Sequence, residues 1–198
     1  LSRFPGLQLE IDLENRQVDL VGEGFDIGIR GGIIGDSSLI ARRVCSLPLV
    51  LVASPDYLVR RGVPRDLAAL NEHCCVTVRF ASGAQPPWQF RVDDALIEQT
   101  PAAQLAVTEP EAAVDLAVAG AGVTQAGLHH VLPYLRSGRL KLLLSGIHAP
   151  GGREIVLHYP HRQYLAPRVR VTVDYLLQSF AAATDLHLRV SEVQRYAA

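Results

Sequence analysis

The chain has 198 residues, 48% hydrophobic and 20% charged, with a formal net charge of -1. Such a composition suits one domain or two small lobes around a buried core and excludes a disordered chain. The near-neutral charge gives no global pull toward nucleic acid or anionic membrane, and no run of about 18 apolar residues could span a bilayer.

Leu7, Leu9, Ile11 and Leu13 alternate with polar residues, a period of two that predicts a half-buried strand. Residues 18–23 predict a short helix stopped by Gly24, and 25–30 a strand apolar enough to lie inside a sheet. A third short strand follows over 39–44, then a long apolar one over 47–53. Strand, helix, strand at this spacing builds a parallel sheet. Pro55 opens a helix behind Ser54 as N-cap, and Asp66 starts another turn over 67–70. Residues 74–80 and 88–92 predict strands around a Gly/Pro turn at 81–87, the second paired with what comes next. A strand over 105–107 leads to a helix with Thr108 as cap, Pro110 in its first turn and Gly120 as its end. Beyond it come a strand over 123–126, a helical segment over 131–137, and strands over 140–144 and 155–159. The last helix, 169–183, puts Val173, Leu176, Leu177 and Phe180 on one face.

Catalysis finds little support. No G-x-S-x-G elbow is present, and the serines lie in turns or helix starts without a local triad signature, so no enzyme is expected. Gly120-Ala121-Gly122 begins like a dinucleotide fingerprint, but Gln125 stands at the third glycine and the segment follows a helix instead of a strand. His158-x-x-His161 lacks a close carboxylate or cysteine for a metal. The seven histidines read as surface or hinge-edge residues, and no metal or cofactor is expected. Of the three cysteines, Cys74 and Cys75 are adjacent, poor geometry for a disulfide. With no apolar signal segment in the first residues, they read as small buried hydrophobes in a reducing, cytoplasmic compartment.

What remains are strand ends. In open α/β sheets, ligands sit beyond the carboxyl ends of the strands, where helix N-termini aim N–H groups. Arg30-Gly31-Gly32, Arg79, Thr108-Glu109 and Val123-Thr124-Gln125 occupy such places. An arginine among N–H donors suits a small carboxylate. Bland alternatives stand beside each: Arg30 paired with Glu23 or Asp26, Thr108 as a cap only, Trp88 as a core anchor and not a ligand contact. Gln125 is an amide in an otherwise apolar strand, which points to a pocket. Arg42 and Arg43 face opposite ways on a short strand, as a solvated edge or an oligomer contact would.

Several segments carry a family likeness in their joint order: Glu23-Gly24-Phe25-Asp26, Ile29-Arg30, Asp36-Ser37-Ser38-Leu39, Ala53-Ser54-Pro55-Asp56-Tyr57-Leu58, Gly120-x-Gly122-Val123, Ser137-Gly138-Arg139-Leu140 and Pro167-Arg168-Val169-Arg170. Together they resemble the effector-binding domain of LysR-type transcriptional regulators, over almost the whole chain. The resemblance implies an α/β fold like a type 2 periplasmic binding protein: two Rossmann-like lobes, joined by crossover strands near 49–53 and 155–159, with a ligand cleft between them. Lobe I would comprise 1–52 plus 158–198, and lobe II 53–157. It further implies cytoplasmic dimers or tetramers that answer a small-molecule effector, touch no membrane, and reach DNA through a winged helix-turn-helix absent from this chain. A solute-binding protein of a transport system shares that fold and is the alternative. The same resemblance implies that this chain starts near the end of the family's first helix, without the family's first strand. The run 186–190 alternates like a strand and ends at Ser191. It either fills that place, which would add Ser191 to the ligand residues, or is an ordinary tail.

Overall fold

A computed structural model describes residues 3–14, 16–31, 39–80, 82–160 and 165–198. In chain order the elements are β1 (Gly28–Gly31), β2 (Leu39–Ser46), β3 (Leu49–Ala53), α1 (Pro55–Arg61), α2 (Leu67–Asn71), β4 (Cys75–Val78), β5 (Trp88–Val92) and β6 (Ala95–Gln99). They continue with β7 (Ala103–Val107), α3 (Pro110–Val118), β8 (Val123–Gly127), α4 (Leu128–Arg136), β9 (Lys141–Leu143), β10 (Glu154–Pro160) and α5 (Pro167–Ala182). Two 3-10 helices follow, Thr184–His187 and Val190–Tyr196.

Capping chemistry sets the helix starts. The Ser54 hydroxyl accepts from Tyr57 N–H at 3.3 Å, and the Asp66 carboxylate from Ala69 N–H at 2.8 Å. At α3 the expected cap is displaced. Pro110 forces the residue before it into extended backbone, so Glu109 is the N-cap (φ -104, ψ 127) and Thr108 stands one place too early. The end of α3 turns on Gly120 at φ +81: its N–H donates to the Ala117 carbonyl, and Ala121 N–H reaches back to Leu116.

The chain folds into two compact units, residues 1–45 with 154–183 and residues 46–153 with 184–198. It therefore passes between them at 45/46, 153/154 and 183/184. These divisions differ from those at 52/53 and 157/158, because β3 belongs wholly to one sheet and β10 wholly to another.

In the terminal unit the sheet order is β1-β10-β2, with β1 antiparallel to β10. Leu157 and Tyr159 of β10 pack against Val169 and Val173 of α5. The strand expected over 7–13 does not form. Leu9, Ile11 and Leu13 are exposed, the last at 90%, and no described strand pairs with the segment. Alternation makes a strand only where a sheet edge receives it.

The middle unit holds a five-stranded sheet, order β7-β4-β8-β3-β9. Strand β4 is parallel to β7 and β8, whereas β3 is antiparallel to β8 and β9, so the sheet is only partly parallel. One face carries Val50, Val52 and Ala126 against Val114 and Ala117 of α3 and Val131 and Leu135 of α4. The other carries Leu51, Cys75 and Val123 against Tyr57, Leu70, Trp88 and Phe90. Trp88 is thus a core anchor.

The β5–β6 hairpin turns through Asp93 and Asp94 at φ 49 and 61, a left-handed pair that favours Asn-Gly over two aspartates. Asp94→Gly should raise the melting temperature by about 2 °C in a calorimetric scan. No rise would argue against this turn.

The run 186–190 does not enter a sheet. Leu188, Val190, Val193 and Tyr196 pack on the α3–α4 side of the middle unit. A three-residue repeat through Val190, Val193 and Tyr196 is the eclipsed face of a 3-10 helix, which overrides the two-residue alternation before it.

Candidate functional site

Both carboxylates that the sequence offers to Arg30 are engaged elsewhere. Arg16 donates to Glu23 at 2.8 and 2.6 Å. Those bonds, with one from Asp19 N–H, hold the Glu23 carboxyl down at about 2. Asp26 lies 3.8 Å from the Arg168 guanidinium. Arg30, half-buried on β1, has no carboxylate at ion-pair distance among the described residues. Near it His158 is buried on β10, paired in register with Gly28. A Cβ at Gly28 would lie 2.6 Å from His158 Nε2, so the ring needs glycine there. Burial first, then the Arg30 charge, pushes the His158 pKa down, against a smaller opposing effect of the Val156 backbone. The ring is neutral at pH 7, and Arg30 is the positive group of this patch. Gly31 ends β1 exposed. Gly32, Asp36, Ser37, Ser38 and His161 lie outside the described residues.

In the middle unit the carboxyl ends of β7, β4 and β8 lie side by side. Val78 pairs with Val107, so Arg79 and Thr108 leave adjacent strand ends, and Arg79 N–H donates to the Val107 carbonyl at 2.8 Å. Arg79, Thr108 and Glu109 are exposed. Val123 is fully buried in the core, and the Thr124 hydroxyl donates to the Val76 carbonyl at 2.9 Å. Neither of those two side chains is presented outward. Gln125 is half-buried, and its amide NH₂ lies 2.9 Å from His148 Nε2. An amide NH₂ only donates, so Nε2 accepts and the His148 proton sits on Nδ1. His148 packs edge-on against Phe90 (centroids 5.5 Å apart, planes at 82°), and burial pushes its pKa down to about 4. One residue on from the Val76–Thr124 pair, Thr77 shares the Gln125 face with a buried hydroxyl that has no partner among the described residues.

Ser191 does not join this group. It is exposed on the second 3-10 helix, because the tail docks on the middle unit instead of filling a sheet position. The histidines also depart from expectation: His73, His148 and His158 are buried. A signal was available, since His158 interrupts the apolar strand Ile155-Val156-Leu157 and His148 follows Ile147. Among the described residues no three His, Cys, Asp or Glu are placed to hold a metal ion. No helix among them is long and apolar enough to cross a membrane.

The LysR substrate binding domain, as a family, matches residues 1–181. An uncharacterized HTH-type transcriptional regulator of Escherichia coli, YhjC, is 34% identical over 182 residues, covering 89% of this chain and 60% of its own. The HTH-type transcriptional regulator DmlR of Escherichia coli is 30% identical over 178 residues, covering 90% and 57%. This chain thus spans less than two thirds of the length of such relatives. Among solved structures, the CrgA regulatory domain of Neisseria meningitidis superposes with a TM-score of 0.82 at 22% identity, over 90% of this chain and 87% of that one. The regulatory domain of AphB from Vibrio vulnificus gives 0.75 at 24% identity, over 90% and 87%. Those two likenesses carry the fold, mixed α/β, and the match over residues 1–181 carries the family. The chain belongs to the LysR substrate binding domain family, the effector-binding domain of LysR-type regulators.

Proposed function

We propose that this domain senses a small anionic molecule and passes the signal, in a cytoplasmic dimer or tetramer, to a DNA-binding segment outside these 198 residues. The observation that carries the reading is the Arg30 guanidinium, half-buried and without a carboxylate among the described residues. A half-buried guanidinium of that kind gains a charge-assisted hydrogen bond from a bound carboxylate. In the terminal unit Gly31 adds close approach beside Arg30; in the middle unit the backbone around Val123 and Thr124, with Arg79, the Thr108–Glu109 helix start and Gln125, forms a polar group of its own at the strand ends. Glu109 contributes through its backbone, since its own charge opposes an anion. The relatives are named as transcriptional regulators, which favours this reading over a transport protein.

The test is a thermal-shift screen of small carboxylates, amino acids and aromatic acids, because a ligand of the native state raises its stability by mass action. Arg30→Ala should weaken the best binder by about 10-fold or more in calorimetry, the worth of one charge-assisted contact. The free variant should melt near wild type. Unchanged affinity would remove Arg30 from the site.

A further inference from the structure

The segment Thr184–Ala198 follows α5, whose residues through Ala183 belong to the terminal unit, yet it packs with the middle unit. Its attachment has three parts. Arg136 of α4 holds Asp185 with two hydrogen bonds, 2.6 and 2.7 Å. Val193 is 2% exposed among Leu128, Leu132, Leu140 and their neighbours. At the tip Ala197 bridges Leu142 in parallel, and Ala198 N–H donates to the Leu142 carbonyl at 3.0 Å. Strand β9 is the last of its sheet, so this tip covers an edge whose backbone groups would otherwise stand open to another extended chain.

The attachment is narrow. Val193 is the segment's only deeply buried residue, and the Arg136–Asp185 pair is about half exposed on both sides. Its two helices are short and of the weaker 3-10 kind. A docked element with so little burial opens at a lower free energy than the core beneath it.

We propose that Thr184–Ala198 is a separable latch, which docks on α4 and β9 of the middle unit and can release without unfolding that unit. While docked it guards the β9 edge; when released, it bares that edge. This holds whether or not the domain binds an anion.

The experiment compares the full chain with Val193→Asp by hydrogen exchange and by trypsin cleavage after Arg189 and Arg195. Cleavage at those two sites, and exchange in the segment and β9, should rise at least 10-fold. Exchange in β3 and β8 should stay within about 2-fold. The charge pair gives a milder arm: Arg136→Asp and Asp185→Arg should each loosen the segment, and the double variant should restore it. A rise throughout β3 and β8 would mean the segment is an integral part of the core. Unchanged exchange in β9, or no restoration by the double variant, would likewise overturn the latch. Association of Val193→Asp through the bared β9 edge, seen by sedimentation with β3 and β8 still protected, would support release.

Discussion

Gly122→Ala should destabilise the middle unit by about 3 kcal/mol or more, enough to leave much of it unfolded at 37 °C. A Cβ at this position would stand 2.4 Å from the Cys74 carbonyl oxygen and 3.0 Å from its carbon. Both are backbone atoms, so no side-chain rotation relieves the clash. The Cys74 carbonyl also accepts the Val123 N–H at 2.8 Å, the bond that sets β8 beside β4. Moving Cys74 away would break that alignment and shift Val123 out of the core. Denaturant unfolding followed by Trp88 fluorescence measures the loss, since Trp88 is buried in the same unit. Gly120→Ala should cost less, about 1–2 kcal/mol, because there the penalty is the left-handed backbone at φ +81 and a 3.1 Å contact with the end of the Arg60 side chain, which can move aside. A Gly122→Ala protein as stable as wild type would refute the close packing of β8 on Cys74.

Acid should destabilise the chain progressively as the pH falls from 6.5 toward 4. Burial holds His148 at about 4 and, with the His130 charge in second place, His129 at about 4, both below the ordinary imidazole value of 6.5. His73 and His158 are lowered as well, by burial first. Below pH 6.5 the unfolded chain binds protons that the folded chain refuses, so stability falls as pH drops from 6.5 toward 4. His148 alone contributes about 3 kcal/mol of that loss, since each tenfold drop in proton affinity is worth about 1.4 kcal/mol. Protonation also breaks its link with Gln125, because Nε2 then becomes a donor facing the amide NH₂. His148→Gln keeps an acceptor for Gln125 and cannot charge. Its stability should depend on pH less steeply between 6.5 and 4, by close to one proton, in denaturant titrations at fixed pH. The same slope in both proteins would contradict the buried, neutral imidazole.

The fold was legible where local chemistry decides it. Ser54, Asp66, Gly120 and Gly138 mark helix ends through hydrogen bonds to their own neighbours, which sequence order alone specifies. Long-range pairing was less legible. Leu7 to Leu13 and Leu186 to Val190 alternate alike, yet neither becomes a strand, because a strand requires an edge that the local sequence does not encode. Within the candidate site, Gln125 stood out as an amide in an apolar strand, while His148 and Thr77 did not. Their relation to Gln125 comes from sheet register and from the return of the chain after β9, both set by tertiary pairing. The glycines around Gly122 divide into two roles: Gly120 serves the end of α3, and Gly122 the close passage of Cys74.

A crystal structure of this domain with the small carboxylate that raises its melting temperature most would decide whether Arg30 is the anion's anchor. That carboxylate should lie at hydrogen-bonding distance from the Arg30 guanidinium, with His158 unprotonated beside it. A carboxylate bound away from Arg30, or a screen in which no anion stabilises the protein, would refute an anion-sensing role for this patch.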